Sequence, residues 1–461
     1  MHFVPLLTAF ALAATQETPA SERLLIVAPA AWCEAFEPFA AHKRTLPWIR
    51  SCTVISVESL SAEAKEGDEA ERLKRGMWKR WQRDGDDGVD AVLLVGDMHV
   101  LPTRYMMLDR STKAACDVAF YASDLYYADL ADDAGAFENW NARTDGIHAR
   151  YIGEVHGESG KDGPIDADGS GLVPEIALGR FPAATVEEAC ALAAKTKAHD
   201  ARVLAGRRGG HDGAVTPSAA VEVVACGAWI DNAARIRGVS DALRTGFTVS
   251  LLSYFDTDTA RHPNPQRVVD AMNSGRSLIL HTGHGEPHGW QDGLRLEDLE
   301  HTRHEPTTPV ILSIGCSTAV VAPQPPYEAY RDADGTDHLG TNAGEVFLAP
   351  PPPPACLQPR AFSHASIGAT SVRMSEGGAI AYIGCVTGSQ PCAHTLLDAF
   401  AECLAREPAQ SVGGAWSHAL KQYIQREHLR DLAPSESWYP PSIYFQPMKF
   451  VLLGDPTARL R

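Results

Sequence analysis

Along the chain, short apolar runs alternate with longer stretches in which apolar residues recur at helical spacing. Arg23–Ala28, Cys52–Val57 and Val89–Val95 read as buried strands, and the last ends in Gly96 and Asp97. Between them, residues 31–43 and 62–82 carry helical periodicity, the second heavily charged. Residues 124–175 are rich in Asp, Gly and Asn and read as a long irregular excursion. The alternation resumes with a strand ending at Phe181 and a helix over 185–198, where Thr185 and Glu188 have the spacing of a capping box. A Gly- and Arg-rich stretch, 206–213, predicts a boundary between 21–205 and 206–461. The second part opens with the strand Ala220–Cys226 and ends with a helix over 363–376, a strand over 378–384 and a closing strand from Phe450. Between those ends, 322–359 reads as an insertion whose consecutive prolines, Pro350 to Pro354, predict a mobile polyproline-like segment. Strands alternating with helices predict an α/β fold of two α/β subdomains, with mostly parallel sheets and helices on both faces.

Two runs in the second part end in residues able to do covalent chemistry. SLILHTGHG, starting at Ser277, closes on His284 and Gly285, and PVILSIGC, starting at Pro309, closes on Cys316. Residues 292–303 between them have the length of one crossover helix. Neighbouring parallel strands share a crevice at their carboxyl ends, so this unit places a thiol beside an imidazole. An imidazole can populate the thiolate or protonate a leaving group. Gly285 and Cys316 would offer backbone N–H groups to an oxyanion.

Rival chemistries fit less well. His281, His284 and His288 crowd near Glu286, but Gly283, Gly285, Pro287 and Gly289 forbid the helix a zinc peptidase motif needs. His284 and Glu286 also fit the opening of a zinc deaminase motif, yet Cys392 lacks the second cysteine that motif requires. Asp166, Asp168 and Ser170 place oxygen atoms at alternating positions before Gly171, as in calcium loops, although Ala177 stands where the closing Glu belongs. Asp124 and Asp129 could join that acidic region.

Composition narrows the partners. At 461 residues, with 44% hydrophobic and 21% charged residues, the chain has the make-up of a globular enzyme. A net charge of −17 without any basic block argues against nucleic acid. Residues 3–14 are apolar but too short to span a bilayer, and a small-x-small pattern precedes polar Thr15, so residues 1–20 read as a signal peptide and the protein as exported. No later segment reads as a transmembrane helix. The ten cysteines show no repeated spacing and read mostly as small buried hydrophobes; Cys356 and Cys392, near Pro-rich or turn-like sequence, could pair in an oxidising compartment, but a bridge is not expected.

With these motifs in order, the chain resembles the gingipain-like cysteine peptidases of the caspase-type clan. The resemblance rests on DAVLLVGD from Asp90 with Pro102, SDLYYAD from Ser123, PEIALGRFP from Pro174, TGHG from Thr282 with Trp290, IGCST from Ile314, and LGDP from Leu453. It implies a caspase/gingipain-like fold and a cysteine endopeptidase acting on protein or peptide substrates through Cys316 and His284 and a thioester. No cofactor is required for that chemistry, though structural Ca2+ is implied as possible. Family members can add an acid near the histidine, for which Asp231 is the first choice and Glu222 the second. The better-known members prefer Arg or Lys before the cleaved bond by means of an acidic pocket, and no residue here is assigned to that pocket. The similarity is expected to cover a catalytic unit without a trailing immunoglobulin-like domain. Another cysteine hydrolase of amidase type, or a non-catalytic binding protein on the same fold, are the alternatives.

Overall fold

The apolar runs become ten strands of one sheet in the computed structural model, which describes residues 21–109, 118–138, 140, 170–209, 219–303, 307–362, 366–432 and 439–461. In chain order they are β1 (Glu22–Ala28), β2 (Ile49–Ser56), β3 (Ala91–Val95), β4 (Ala177–Phe181), β5 (Ala220–Ala225), β6 (Thr248–Ser253), β7 (Arg276–Thr282), β8 (Val310–Ser313), β9 (Ala381–Cys385) and β10 (Phe450–Gly454). The spatial order is β2-β1-β3-β4-β10-β9-β8-β7-β5-β6. Neighbours run parallel everywhere except at β9 and β10, which pair antiparallel from Ala381↔Gly454 to Cys385↔Phe450. The sheet is thus two parallel sets of five strands pointing in opposite directions. Central strands such as β3 and β8 are buried along their whole length, which explains why they read as unbroken apolar runs rather than alternating ones.

Helices flank the sheet: α1 (Cys33–Lys43), α2 (Glu69–Trp81), α3 (Val186–Gly209), α4 (Ala233–Leu243), α5 (Pro265–Asn273), α6 (Ile367–Arg373), α7 (His394–Arg406) and α8 (Val412–Arg426). Their starts are written in the sequence. The Asn264 carboxamide accepts the Arg267 N–H at 2.9 Å while Pro265 occupies the first turn of α5, where its missing N–H costs nothing. At α3, Glu188 N–H reaches the Thr185 hydroxyl at 3.3 Å, and the Glu188 carboxylate accepts the Ala184 N–H at 2.8 Å. The box forms, with its return bond one residue earlier than the usual pattern.

Two differences from the sequence reading matter for function. Residues 292–303 do not form a crossover helix. The chain leaves β7 through the short antiparallel pair 285–286 with 289–290, and only a 3-10 turn, Glu297–His301, precedes β8. Asp292 holds φ at 55° and Gly289 at 156°, backbone settings that break helical continuation before the charged run begins. The proline run is pinned rather than loose: Ala333 N–H donates to Pro353 O at 2.8 Å and the Tyr330 hydroxyl to Pro352 O at 2.9 Å. Prolines lack N–H groups, so their carbonyls accept bonds from the facing segment.

Candidate active site

The register of β7 and β8, with Ser313 opposite His281, brings the two loops that follow to the same edge of the sheet. Gly283 turns the chain with φ at 127°, and a Cβ there would lie 2.8 Å from Cys226 Cβ and 2.9 Å from Gly227 O, so only glycine fits. His284 is anchored through its backbone, donating its N–H to Gly227 O at 2.9 Å and accepting the Gln291 N–H at 3.1 Å. Gly285 then meets the cysteine loop backbone to backbone: a Cβ on it would stand 2.9 Å from Cys316 O and 3.0 Å from Gly315 C. The side chains of His284 and Cys316, both half-buried, line one cavity of about 50 Å³.

Cys316 sits on a tight turn. Ser317 holds φ at 54°, unusual for a residue with a side chain, and is kept there by its N–H bond to Thr387 O at 2.8 Å. The Cys316 N–H makes no hydrogen bond among the described residues. Its sulfur accepts the Ser389 N–H at 3.3 Å and donates to Ser389 O at 3.5 Å, which ties the thiol to that loop. Ser389 is itself fixed by buried Gln446, whose Nε2 donates to Ser389 Oγ at 3.0 Å and whose Oε1 accepts the Gln390 N–H at 3.2 Å. The sequence reading missed this loop. No local periodicity links 387–391 to Gln446, and the sequence offers the stretch around Cys392 only as a metal motif or a disulfide partner.

The imidazole of His284 has the exposed Trp229 ring 5.2 Å away, edge to face, and makes no hydrogen bond among the described residues. Asp231 is exposed, and its carboxylate accepts the Ala233 N–H at 2.9 Å. Glu222 is buried further back along β5, bonded to the Ser250 hydroxyl at 2.8 Å and to Arg276 at 3.0 Å. Neither acid hydrogen bonds to His284, because one closes its own turn and the other is spent on an ion pair.

His281 takes a different part. It is fully buried, stacked on Trp290 with ring centroids 4.1 Å apart, and its Nδ1 is 2.8 Å from Ser313 Oγ. Burial pulls its pKa down to about 3, so it remains neutral and structural. His288 and Glu286 are exposed, and no cluster of three metal-ligating side chains occurs among the described residues. The described cysteines are all free thiols, Cys356 and Cys392 included. Burial pushes Cys385 up to about 12 and Cys392 up to about 11, which leaves both as inert hydrophobes.

The acidic region is divided. Asp166 and Asp168 lie outside the described residues, as do residues 1–20. Ser170 is buried, and its hydroxyl has no partner among the described residues. Asp124 is held by Arg180 in a buried two-pronged pair at 2.6 and 2.8 Å, and Asp129 accepts the Trp140 indole N–H.

A family profile described as peptidase family C25 matches residues 17–461. The chain belongs to peptidase family C25. It is a cysteine endopeptidase by that membership, a hydrolase whose substrates are proteins. Solved structures similar to this C25 peptidase include the Arg-specific cysteine proteinase gingipain R (RGPB), at 14% identity and a TM-score of 0.58, covering 96% of this chain and 78% of that one. The complex of Porphyromonas gingivalis RgpB pro- and mature domains matches at 15% identity and 0.56, covering 95% and 80%. A structure described only as a protease matches at 14% and 0.54, covering 96% and 79%. At such identities these likenesses establish the gingipain/caspase-like fold. A search of curated proteins gives no match. No helix among the described residues is long and apolar enough to cross a membrane.

Proposed function

We propose that this peptidase works through a Cys316–His284 dyad. The Cys316 thiol gives its proton to His284 as its sulfur attacks the peptide carbonyl carbon, so the C–S bond forms and the carbonyl oxygen takes the negative charge. The C–N bond then breaks, and His284 gives the departing amine its proton. Water, deprotonated by His284, attacks the thioester carbon, releasing the new carboxyl end and restoring the sulfur. The free Cys316 N–H and the Gly285 N–H are the oxyanion donors. The observation that carries this reading is the backbone contact of Gly285 with Gly315 and Cys316, which presses the two loops together around one cavity. Cleavage of a peptide library by wild type and Cys316→Ala, with a thiol-directed electrophile mapped by mass, tests it. Label on Cys316 and no cleavage by the variant are expected; equal cleavage by the variant overturns the assignment.

Structural calcium at Asp166, Asp168 and Ser170 is part of the same proposal, supported by the alternating oxygen-bearing residues in the sequence and by the buried Ser170 hydroxyl, which has no partner among the described residues. Bound calcium stabilises only the folded state, so a calcium chelator is expected to lower the melting temperature by several degrees. Unchanged melting rejects the site. Export is supported by the apolar leader, and N-terminal sequencing of exported protein should begin close to Thr15. Uncleaved protein retained in the cytoplasm rejects it.

A further inference from the structure

Behind the Cys316 cavity lies a polar network whose donors are all spent. His394 opens α7 with its Nδ1 2.9 Å from Pro391 O, a group that only accepts, so Nδ1 carries the hydrogen and Nε2 is an acceptor. Nε2 faces the Thr282 hydroxyl at 2.9 Å and Asn232 Nδ2 at 3.1 Å, and Asn232 Nδ2 also donates to Thr282 Oγ1 at 3.1 Å. Burial, reinforced by the nearby Arg235 charge, lowers the His394 pKa, so the network is neutral. Two buried oxygens have no partner among the described residues: Asn232 Oδ1, in this network, and Gln390 Oε1, on a residue that lines the cavity. Ile230, Ile314 and Pro391 supply apolar walls, and no carboxylate lies among the described lining residues. Arg235, behind this network, donates to the Thr395 hydroxyl at 3.2 Å and is ion-paired with Asp398 at 2.6 Å.

We propose that this cavity takes the side chain preceding the cleaved bond and selects an uncharged carboxamide, asparagine ahead of glutamine, over arginine and lysine. The proposal rests on the dyad reading, since the cavity is defined by its position beside Cys316. Its volume of about 50 Å³ suits a short polar side chain such as that of asparagine better than a long one. The carboxamide NH2 would give Gln390 Oε1 the donor it lacks, and a buried acceptor is costly to leave unpaired. A guanidinium or ammonium would enter the same space with no carboxylate among the described lining residues to meet it.

The test is a set of peptides identical except for Asn, Gln, Ala, Lys or Arg before the scissile bond. A site built to pair a donor discriminates strongly against analogues without one, so kcat/KM for Asn should exceed Ala by at least about tenfold and Arg by about 100-fold. In Gln390→Leu the Asn-to-Ala ratio should fall by about tenfold or more, as expected for one lost buried hydrogen bond. Gln390→Glu should raise the Lys and Arg peptides by about tenfold by supplying a countercharge. Alkylation of Cys316 by iodoacetamide, followed by mass, reports that each variant keeps an assembled site. Preference of the wild type for Arg or Lys, with cleavage abolished in Cys316→Ala, sinks the pocket assignment and leaves the dyad standing. An Asn-to-Ala ratio unchanged in Gln390→Leu also sinks it. Cleavage that survives in Cys316→Ala removes the dyad and this proposal together.

Discussion

Cys316→Ala is expected to lower kcat/KM by about 10⁴- to 10⁶-fold, and His284→Ala by a comparable factor, because neither group acts without the other. The variants should remain folded. Cys316 is half-buried, and its replacement removes two weak sulfur bonds, both to the Ser389 backbone, at 3.3 and 3.5 Å. His284 is held by its backbone, to Gly227 O and from Gln291 N–H, so its ring can be cut away without releasing the loop. The double variant should lose little more than either single one, since groups acting as a unit are not additive. Kinetics of the three variants, with melting curves to confirm folding, decide the matter. Activity in either single variant within about tenfold of wild type would contradict a dyad, because acid–base assistance and covalent attack are each worth more than that.

How much of this site the sequence displays depends on where its information sits. The strands ending at His284 and Cys316 are visible because β7 and β8 are buried apolar runs, and glycine marks the turns because no other residue fits against Cys226 or Cys316. The linking segment misled because LRLEDLEH from Leu294 has helical spacing, while the positive φ values at Gly289 and Asp292 leave no trace in periodicity. A partner for His284 could not be read from local pattern either. Asp231, in the loop after β5, caps its own turn, and Gln446 reaches Ser389, which bonds Cys316, from far along the chain. The family signatures are legible as motifs, but their purpose emerges only in space. Asp124 and Arg180 belong to two different signatures and pair with each other, and Arg180 also donates to Gly96 O at 2.9 Å, within a third.

The closing signature, Leu453–Pro456, supplies the largest expected effect on stability. Its Asp455 is fully buried and accepts the Thr457 N–H and hydroxyl at 2.8 Å each. Lys43, at the end of α1 and also fully buried, lies 2.7 Å from Asp200 of α3 and forms an ion pair with Asp455. One ammonium thus joins α1, α3 and the end of β10. Burial alone would lower the Lys43 pKa, but the two carboxylates outweigh it and raise it, while Lys43 holds Asp200 below the ordinary carboxylate value against the pull of burial. Lys43→Met leaves two buried carboxylates without their shared ammonium, with the His42 imidazole still 3.2 Å from Asp200, which costs about 3–5 kcal/mol. Both acids would then shift upward, so the damage should be full at neutral pH and shrink as pH falls and they protonate. A group with a raised folded-state pKa loses stability as pH rises through that value, which fixes the sign. Should Lys43→Met be insoluble, adding Asp200→Asn and Asp455→Asn removes the uncompensated charges and should restore soluble, cooperatively melting protein. Urea midpoints of wild type and variants at neutral and mildly acidic pH provide the measurement. A Lys43→Met midpoint equal to wild type at neutral pH would show that the ammonium does not tie these elements together.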